Sequence, residues 1–137
     1  MNDAIINKFA SIERCVKRIE EVYQNAASKF DTDFTSQDSV ILNLQRACEA
    51  CIDVANIVNK QHKTGIPQSG RDSFELLKNA ELLSPGLAEN LQKMVGLRNI
   101  AVHNYQTLNL DIVKHVIEYR LNDFSDFVSE IKNALNV

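Results

Sequence analysis

The stretch DAIINKFASIERCVKRIEEVYQNAA, Asp3 to Ala27, decides the fold class. Its apolar residues fall at Ile5, Phe9, Ile12, Val16, Ile19 and Val22, with Ile6 and Tyr23 beside them. Steps of three and four residues are the helical period and exclude the two-residue alternation of a strand. The opposite face carries Lys8, Glu13, Lys17, Glu20 and Glu21. An amphipathic helix of this length must bury its stripe against other elements, which the rest of the chain has to supply.

The next segments have the same character. SKFDTDF, Ser28 to Phe34, reads as a polar connection with two buried anchors, Phe30 and Phe34. Thr35 is the predicted cap of a second helix running to about Gln61, with Asp38 at its third position satisfying the helix dipole. Its stripe is Val40, Ile41, Leu44, Ala47, Cys48, Cys51, Ile52, Ala55 and Val58. HKTGIPQSG, His62 to Gly70, is the strongest break in the chain. Ser69 then caps a short helix, Arg71 to Asn79, with Phe74 and Leu77 inward. Ser84-Pro85 opens a fourth helix in the favoured order of cap residue and then Pro. Its stripe is Leu87, Leu91, Met94 and Val95, with Ile100 at its end. Asn109 caps a fifth, about Leu110 to Leu135, with Ile112, Val113, Val116, Ile117, Leu121, Phe124, Val128 and Ile131 inward.

The expectation is an all-α, antiparallel four-to-five-helix bundle forming a single domain over residues 1–137. Composition agrees: 4 Gly and 2 Pro in 137 residues are too few to punctuate a β protein. No basic region precedes an apolar run at the N-terminus, and no apolar run approaches membrane-spanning length. Three cysteines form no disulfide framework, so the reading is a cytoplasmic protein without membrane contact. A net charge of −3 argues against a broad basic face for nucleic acid, though not against a local cleft, since a few Arg or His residues suffice for one phosphate.

The end of the fourth helix is the most unusual text. RNIAVHNY, Arg98 to Tyr105, packs Arg, two Asn, His and Tyr among small apolar residues. Arg98 and His103 are five apart, roughly 140° around a straight helix. Either the helix unwinds near His103, or the two side chains converge with groups from another helix or subunit. Asn99 and His103, four apart, share a face. On physical grounds alone, basic residues at a helix C-terminus also serve the dipole and need carry no chemistry.

This stretch resembles the R-x4-6-H motif of the HEPN superfamily, in the extended R-N-x-x-x-H-x-Y form of its HepT branch. The upstream text GIPQSGRDSFELL and LAENLQKMVGLRN is similar as well, and the likeness spans about Ser36 to Asp123. The resemblance implies an endoribonuclease toxin needing neither metal nor cofactor, part of a type II or type VII-like toxin–antitoxin pair. It implies a homodimer in which motif helices meet and each subunit gives an Arg and a His to one cleft. The chemistry suits those residues. A His with an ordinary pKa near 6.5 can move the proton of a 2′-OH, and Arg can clamp a phosphate as charge builds on it. His103 is then the general acid/base, Arg98 the phosphate clamp and Asn99 a supporting or phosphate-binding residue, with RNA as substrate. Tyr105 matches the position at which a nucleotidyltransferase antitoxin is thought to add AMP; by packing alone it would simply anchor the loop.

Other residues carry less. Cys48 and Cys51, like Cys15, read as small buried hydrophobes, since no further Cys or His completes a zinc set. His62 and His115 read as surface residues, and Glu49 with Asp53 as a solvated face or a partner contact. Arg46 and Arg71 can widen a basic cleft, but the sequence does not place them, and Asn104 has no assigned role. The competing expectation is a non-catalytic helical module that binds a substrate or nucleotide for a small nucleotidyltransferase.

Overall fold

The computed structural model of the protein describes residues 1–136. Among them are six α-helices, two single 3-10 turns and no strand. The helices are α1 (Asp3–Ala26), α2 (Phe34–His62), α3 (Gly70–Asn79), α4 (Pro85–His103), α5 (Leu110–Tyr119) and α6 (Asn122–Ala134). The all-α bundle is the expected one, and α1 buries Ile5, Phe9, Ile12 and Ile19 of the stripe read from its period; Cys15 is buried beside them, whereas Val16 and Val22 are only half-buried.

The bundle is organised around α2. It packs most extensively on α1 and also meets α3, α4 and α6. Val40, Ala47, Cys51, Val54, Ala55 and Val58 are wholly inaccessible. Side chains as small as Ala and Cys let neighbouring helices approach closely from more than one side. Between α3 and α6, Phe74 meets Phe127 edge to face, centroids 5.9 Å apart and planes at 88°. Asn59 is buried on α2, donates to the Ser73 carbonyl at 2.9 Å and accepts from the Thr64 hydroxyl at 2.6 Å. It therefore pins α3 to α2 through polar contacts that have no water to fall back on.

Several expectations are corrected. The fifth segment is two helices, α5 and α6, with a break at Arg120 (φ −126°, ψ 0°). The periodicity runs through the break and does not betray it. Asn122 and Asp123 favour a helix start over a helix interior, and Asp123 stands in the first turn of α6. Asp33, not Thr35, caps α2, accepting from the Ser36 N–H at 3.1 Å and the Ser36 hydroxyl at 2.8 Å. With the helix starting there, Phe34 lies on its outer face, 72 % exposed, so only Phe30 is a buried anchor. Ile112 is 52 % exposed and Ile100 41 %, both outside the core. Ser84 precedes α4 as expected but makes no side-chain cap. Its N–H and hydroxyl instead donate to Glu130 of α6, at 2.7 and 2.8 Å, so a remote carboxylate fixes where α4 begins.

Two substitutions separate the apolar and polar ties of α3. Phe74→Ala is expected to lower unfolding free energy by about 3–5 kcal/mol through a cavity. Asn59→Ala is expected to cost about 1–3 kcal/mol by removing the side-chain bonds to the Ser73 carbonyl and the Thr64 hydroxyl. Urea unfolding followed by circular dichroism measures both; an unchanged midpoint for Asn59→Ala would contradict its role as a tie.

Candidate active site

Helix α4 stays helical through His103 and stops at Asn104 (φ −152°, ψ 52°), whose N–H still reaches the Ile100 carbonyl at 2.8 Å. The helix does not unwind before His103, which removes one of the two ways in which Arg98 and His103 could converge.

Arg98 turns toward α2. Its Nε donates to Glu49 Oε1 at 3.2 Å, its Nη2 lies at ion-pair distance from the same oxygen, also 3.2 Å, and its Nη1 donates to Asn99 Oδ1 at 3.0 Å. Glu49 is steadied in turn by Gln45 Nε2 at 3.0 Å. A guanidinium has five N–H donors in a fixed plane. Two are hydrogen-bonded here and the Nη2 ion pair adds to them, which orients the plane and leaves the other N–H groups without a hydrogen-bond partner among the described residues. Glu49, which in sequence reads as a solvated or partner-facing acid, is thus the residue that holds Arg98. Nothing local signals this, because the two are 49 residues apart and only the packing of α2 on α4 joins them.

Arg98 and Asn99 line a cleft of about 380 Å³ with Ser69, Arg71, Glu49 and Asp53 as its other polar members and Ile52 and Val95 among its apolar ones. Arg71 is the basic residue that sequence could not place. Its Nε donates to the Gln92 carbonyl at 3.3 Å, and Gln92 Nε2 returns a bond to the Arg71 carbonyl at 3.1 Å. Gly96 makes room for it, since a Cβ there would stand 2.6 Å from Arg71 Nη2. Asp53 is engaged by Lys8 at 2.9 Å and Glu49 by Arg98. Among the described residues Arg71 has no carboxylate partner, so the cleft keeps an uncompensated cation beside Arg98.

His103 is exposed, four residues beyond Asn99 on the same helix face, and is not part of this cleft. Within one chain Arg98 and His103 share a helix end but not a cavity. Asn99 lies between them, bonded to the first and one turn before the second. Ile100 and Val102, 41 % and 42 % exposed, flank His103 as apolar residues that α4 leaves uncovered.

Tyr105 lies in the 3-10 turn Tyr105–Thr107 directly after α4, 44 % exposed. Its hydroxyl donates to the Asp38 carboxylate of α2. Partial burial, then that hydrogen bond and the charge of Asp38, push the phenol up to about 12. The group is therefore a neutral phenol, anchored yet reachable. Sequence marks Asp38 only as a first-turn acid; its partner lies 67 residues away. Asn104 ends the helix, and its carbonyl accepts from Thr107.

The remaining candidates are inert. Cys15, Cys48 and Cys51 are buried thiols, and burial pushes Cys48 up to about 12 and Cys51 well above its ordinary value. His62 and His115 are exposed. Among the described residues no group of three or more His, Cys, Asp or Glu could hold a metal ion, and no helix is long and apolar enough to cross a membrane.

Residues 12–131 match the family described as Ribonuclease HepT-like. The chain is 63 % identical over 132 residues to the mRNA nuclease HepT of Shewanella oneidensis, covering 96 % of this chain and 98 % of that one. It is 28 % identical over 92 residues to the tRNA nuclease HepT of Aphanizomenon flos-aquae, covering 67 % of this chain and 63 % of that one. Its fold superposes with a TM-score of 0.93 on a solved structure of a tri-AMPylated Shewanella oneidensis HEPN toxin in complex with an MNT antitoxin, at 62 % identity over 97 % of this chain and 99 % of that one.

The Tyr105–Asp38 contact has a direct readout. Removing the carboxylate charge in Asp38→Asn is expected to lower the Tyr105 phenol from about 12 part of the way toward the ordinary value, the effect of burial remaining. A difference titration of phenolate absorbance between the two proteins measures it; superimposable curves would mean that the contact is not made in solution.

Proposed function

Since the chain belongs to the Ribonuclease HepT-like family, we propose that it is a cytoplasmic ribonuclease toxin whose active site is completed by a second copy of itself, with Arg98 and His103 as the working pair. The observation that carries this reading is the arrangement at the end of α4. Asn99 clasps the Arg98 guanidinium, and an exposed His103 stands one turn further along the same face. A two-fold axis beside this helix end would bring a second copy of it opposite the first. Ile100 and Val102 support such an axis, because uncovered apolar side chains next to a catalytic imidazole are readily explained by a partner that covers them.

The residues suit cleavage by internal attack. The imidazole of one His103 takes the proton of the 2′-OH, and the 2′-oxygen bonds to phosphorus. The P–O5′ bond breaks, and the leaving oxygen takes a proton from the other imidazole, that of the partner subunit's His103. The products are a 2′,3′-cyclic phosphate and a 5′-OH. The N–H groups of Arg98 that Glu49 and Asn99 leave free suit non-bridging oxygens, where negative charge grows in the transition state. Glu49 contributes by fixing the guanidinium plane before substrate arrives. The relatives' different named targets, mRNA and tRNA, leave the RNA itself open.

Control of this activity is proposed to act at Tyr105. The similar Shewanella toxin is tri-AMPylated in its complex with an MNT antitoxin. Tyr105 follows His103 by two residues and keeps its hydroxyl near the surface. AMP attached there adds bulk and a phosphodiester charge beside the phosphate site, so RNA is both blocked and repelled.

In an RNA cleavage assay, His103→Ala is expected to lower the rate by about 10²–10⁴-fold, the usual contribution of a positioned acid or base. Arg98→Lys should also lose most activity, because an ammonium cannot reproduce the clasped plane. Cleavage that stops with EDTA, or products ending in a 3′-hydroxyl, would overturn the mechanism. Intact mass after co-expression with a nucleotidyltransferase partner should show AMP adducts on the wild type and none on Tyr105→Phe; adducts that persist on the variant would move the modification elsewhere.

A further inference from the structure

A second, larger groove of about 650 Å³ runs between α1 and α2. On α1 it is lined by Lys8, Arg14, Lys17 and Arg18, and on α2 by Arg46. Glu49 and Asp53 line this groove and the Arg98 cleft alike, so the two depressions share a wall. The protein as a whole is acidic, at −3. The groove is not, because its carboxylates are already engaged: Asp53 with Lys8 at 2.9 Å, Glu21 with Arg18 at 4.0 Å and Glu49 with Arg98. Arg14, Lys17 and Arg46 are exposed and, among the described residues, have no carboxylate within ion-pair distance. Among the described residues the one hydrogen bond of Arg14 is to the Ser11 hydroxyl, 3.3 Å away.

We propose that the α1–α2 groove is a binding track for single-stranded RNA, in which Arg14, Lys17 and Arg46 hold the phosphates of nucleotides lying outside the Arg98 cleft. The inference rests on the ribonuclease reading above and extends it from one scissile phosphate to its flanking strand. Three unpaired cations concentrated in a trough on an acidic protein suit a polyanion that the rest of the surface repels. Among the described residues no aromatic side chain lines the trough for stacking on bases. Recognition there is of the backbone, independent of sequence and sensitive to salt. A target several nucleotides long is then favoured over a dinucleotide by contacts remote from the chemistry.

The test uses the full-length protein and its Arg14→Ala/Lys17→Ala/Arg46→Ala variant, whose changes fall on exposed helical positions where Ala is well tolerated. Binding of a fluorescent RNA of about 12 nucleotides, within the size range of single-strand sites, is followed by anisotropy across salt concentrations, with His103→Ala in both backgrounds to keep the RNA intact. At about 0.7 per phosphate contact, losing three contacts should flatten the slope of log K against log salt by about 2. Over a fourfold rise in salt the wild type should therefore weaken roughly twentyfold more than the variant. With His103 present, cleavage of a dinucleotide should be unchanged in the variant, while cleavage of the longer RNA loses its advantage. If the wild type cleaves RNA and the variant shows the same slope and the same preference for length, the track is wrong and the nuclease reading stands. If the wild type neither binds nor cleaves RNA, both fall. If the variant keeps its RNA slope but no longer captures the nucleotidyltransferase partner, the groove is a protein-docking face and the proposal is overturned.

Discussion

The burial of α2 on several sides is the constraint on which the other features depend. A helix whose Val40, Ala47, Cys51, Val54, Ala55 and Val58 are all inaccessible cannot lie at the edge of a fold. It must be flanked, and its small residues allow α1, α3 and α4 to come close. The polar positions that remain on α2 are then forced into the seams between it and its neighbours. Asp38 meets Tyr105, Glu49 meets Arg98, Asp53 meets Lys8, and Asn59 meets Ser73. Nearly every side chain that positions the candidate site is thus a leftover of the packing of one helix. Packing and function are joined here by geometry, since moving α2 by one turn would break all four contacts together.

Electrostatics explains how an acidic chain can present sites for an anion. Net charge is a sum over the whole surface, whereas a phosphate responds to charges within about a Debye length, about 8–10 Å. In both depressions the carboxylates are neutralised by cations that serve mainly that purpose, Lys8 for Asp53 and Arg18 for Glu21. Other cations are left over. The Glu49–Arg98 pair works differently. Both members are partly exposed, Arg98 28 % and Glu49 37 %, so as a stabilising interaction it is worth little, on the order of 0–1 kcal/mol. Its value is directional. It fixes a planar group that would otherwise sample many rotamers, at the cost of some of the positive potential that a phosphate would feel.

The sequence was most legible where information is local and periodic. Most of the stripe of α1, the cap at Ser69, the inward Phe74 and Leu77, and the cap at Asn109 follow from spacing within a few residues, and the structure repeats them. Legibility failed at boundaries and across seams. Two acceptors, Asp33 and Thr35, stand within one turn of the start of α2; the choice between them decides whether Phe34 is an anchor or a surface residue. The α5–α6 break is silent because the apolar period continues across Arg120, and only Asn122 and Asp123 hint at a new helix start. The motif residues Arg98, Asn99, His103 and Tyr105 were legible as a pattern, but their partners Glu49 and Asp38 were not. Each is an acid on another helix tens of residues away, and no spacing rule links it to the motif.

The straightness of α4 carries the final step. An α-helix that continues from Arg98 to His103 separates the two Cα atoms by a rise of roughly 7.5 Å and a rotation of roughly 140°. Arg98 spends its reach on α2, to Glu49, and cannot also swing toward His103 without leaving that partner. Within one subunit the proposed clamp and the proposed acid/base are therefore held apart by the most rigid element available. A rigid separation is a poor design for a site made within one chain and a sound one for a site made across a two-fold axis. There, each helix end offers a clasped guanidinium on one side and a free imidazole on the other, and rotation by 180° sets unlike groups facing. In the proposed two-fold arrangement the same rigidity would tie the chemistry to association. Association through Ile100 and Val102 would bury apolar surface next to the imidazoles, which would lower the local dielectric and strengthen the charge interactions in the cleft.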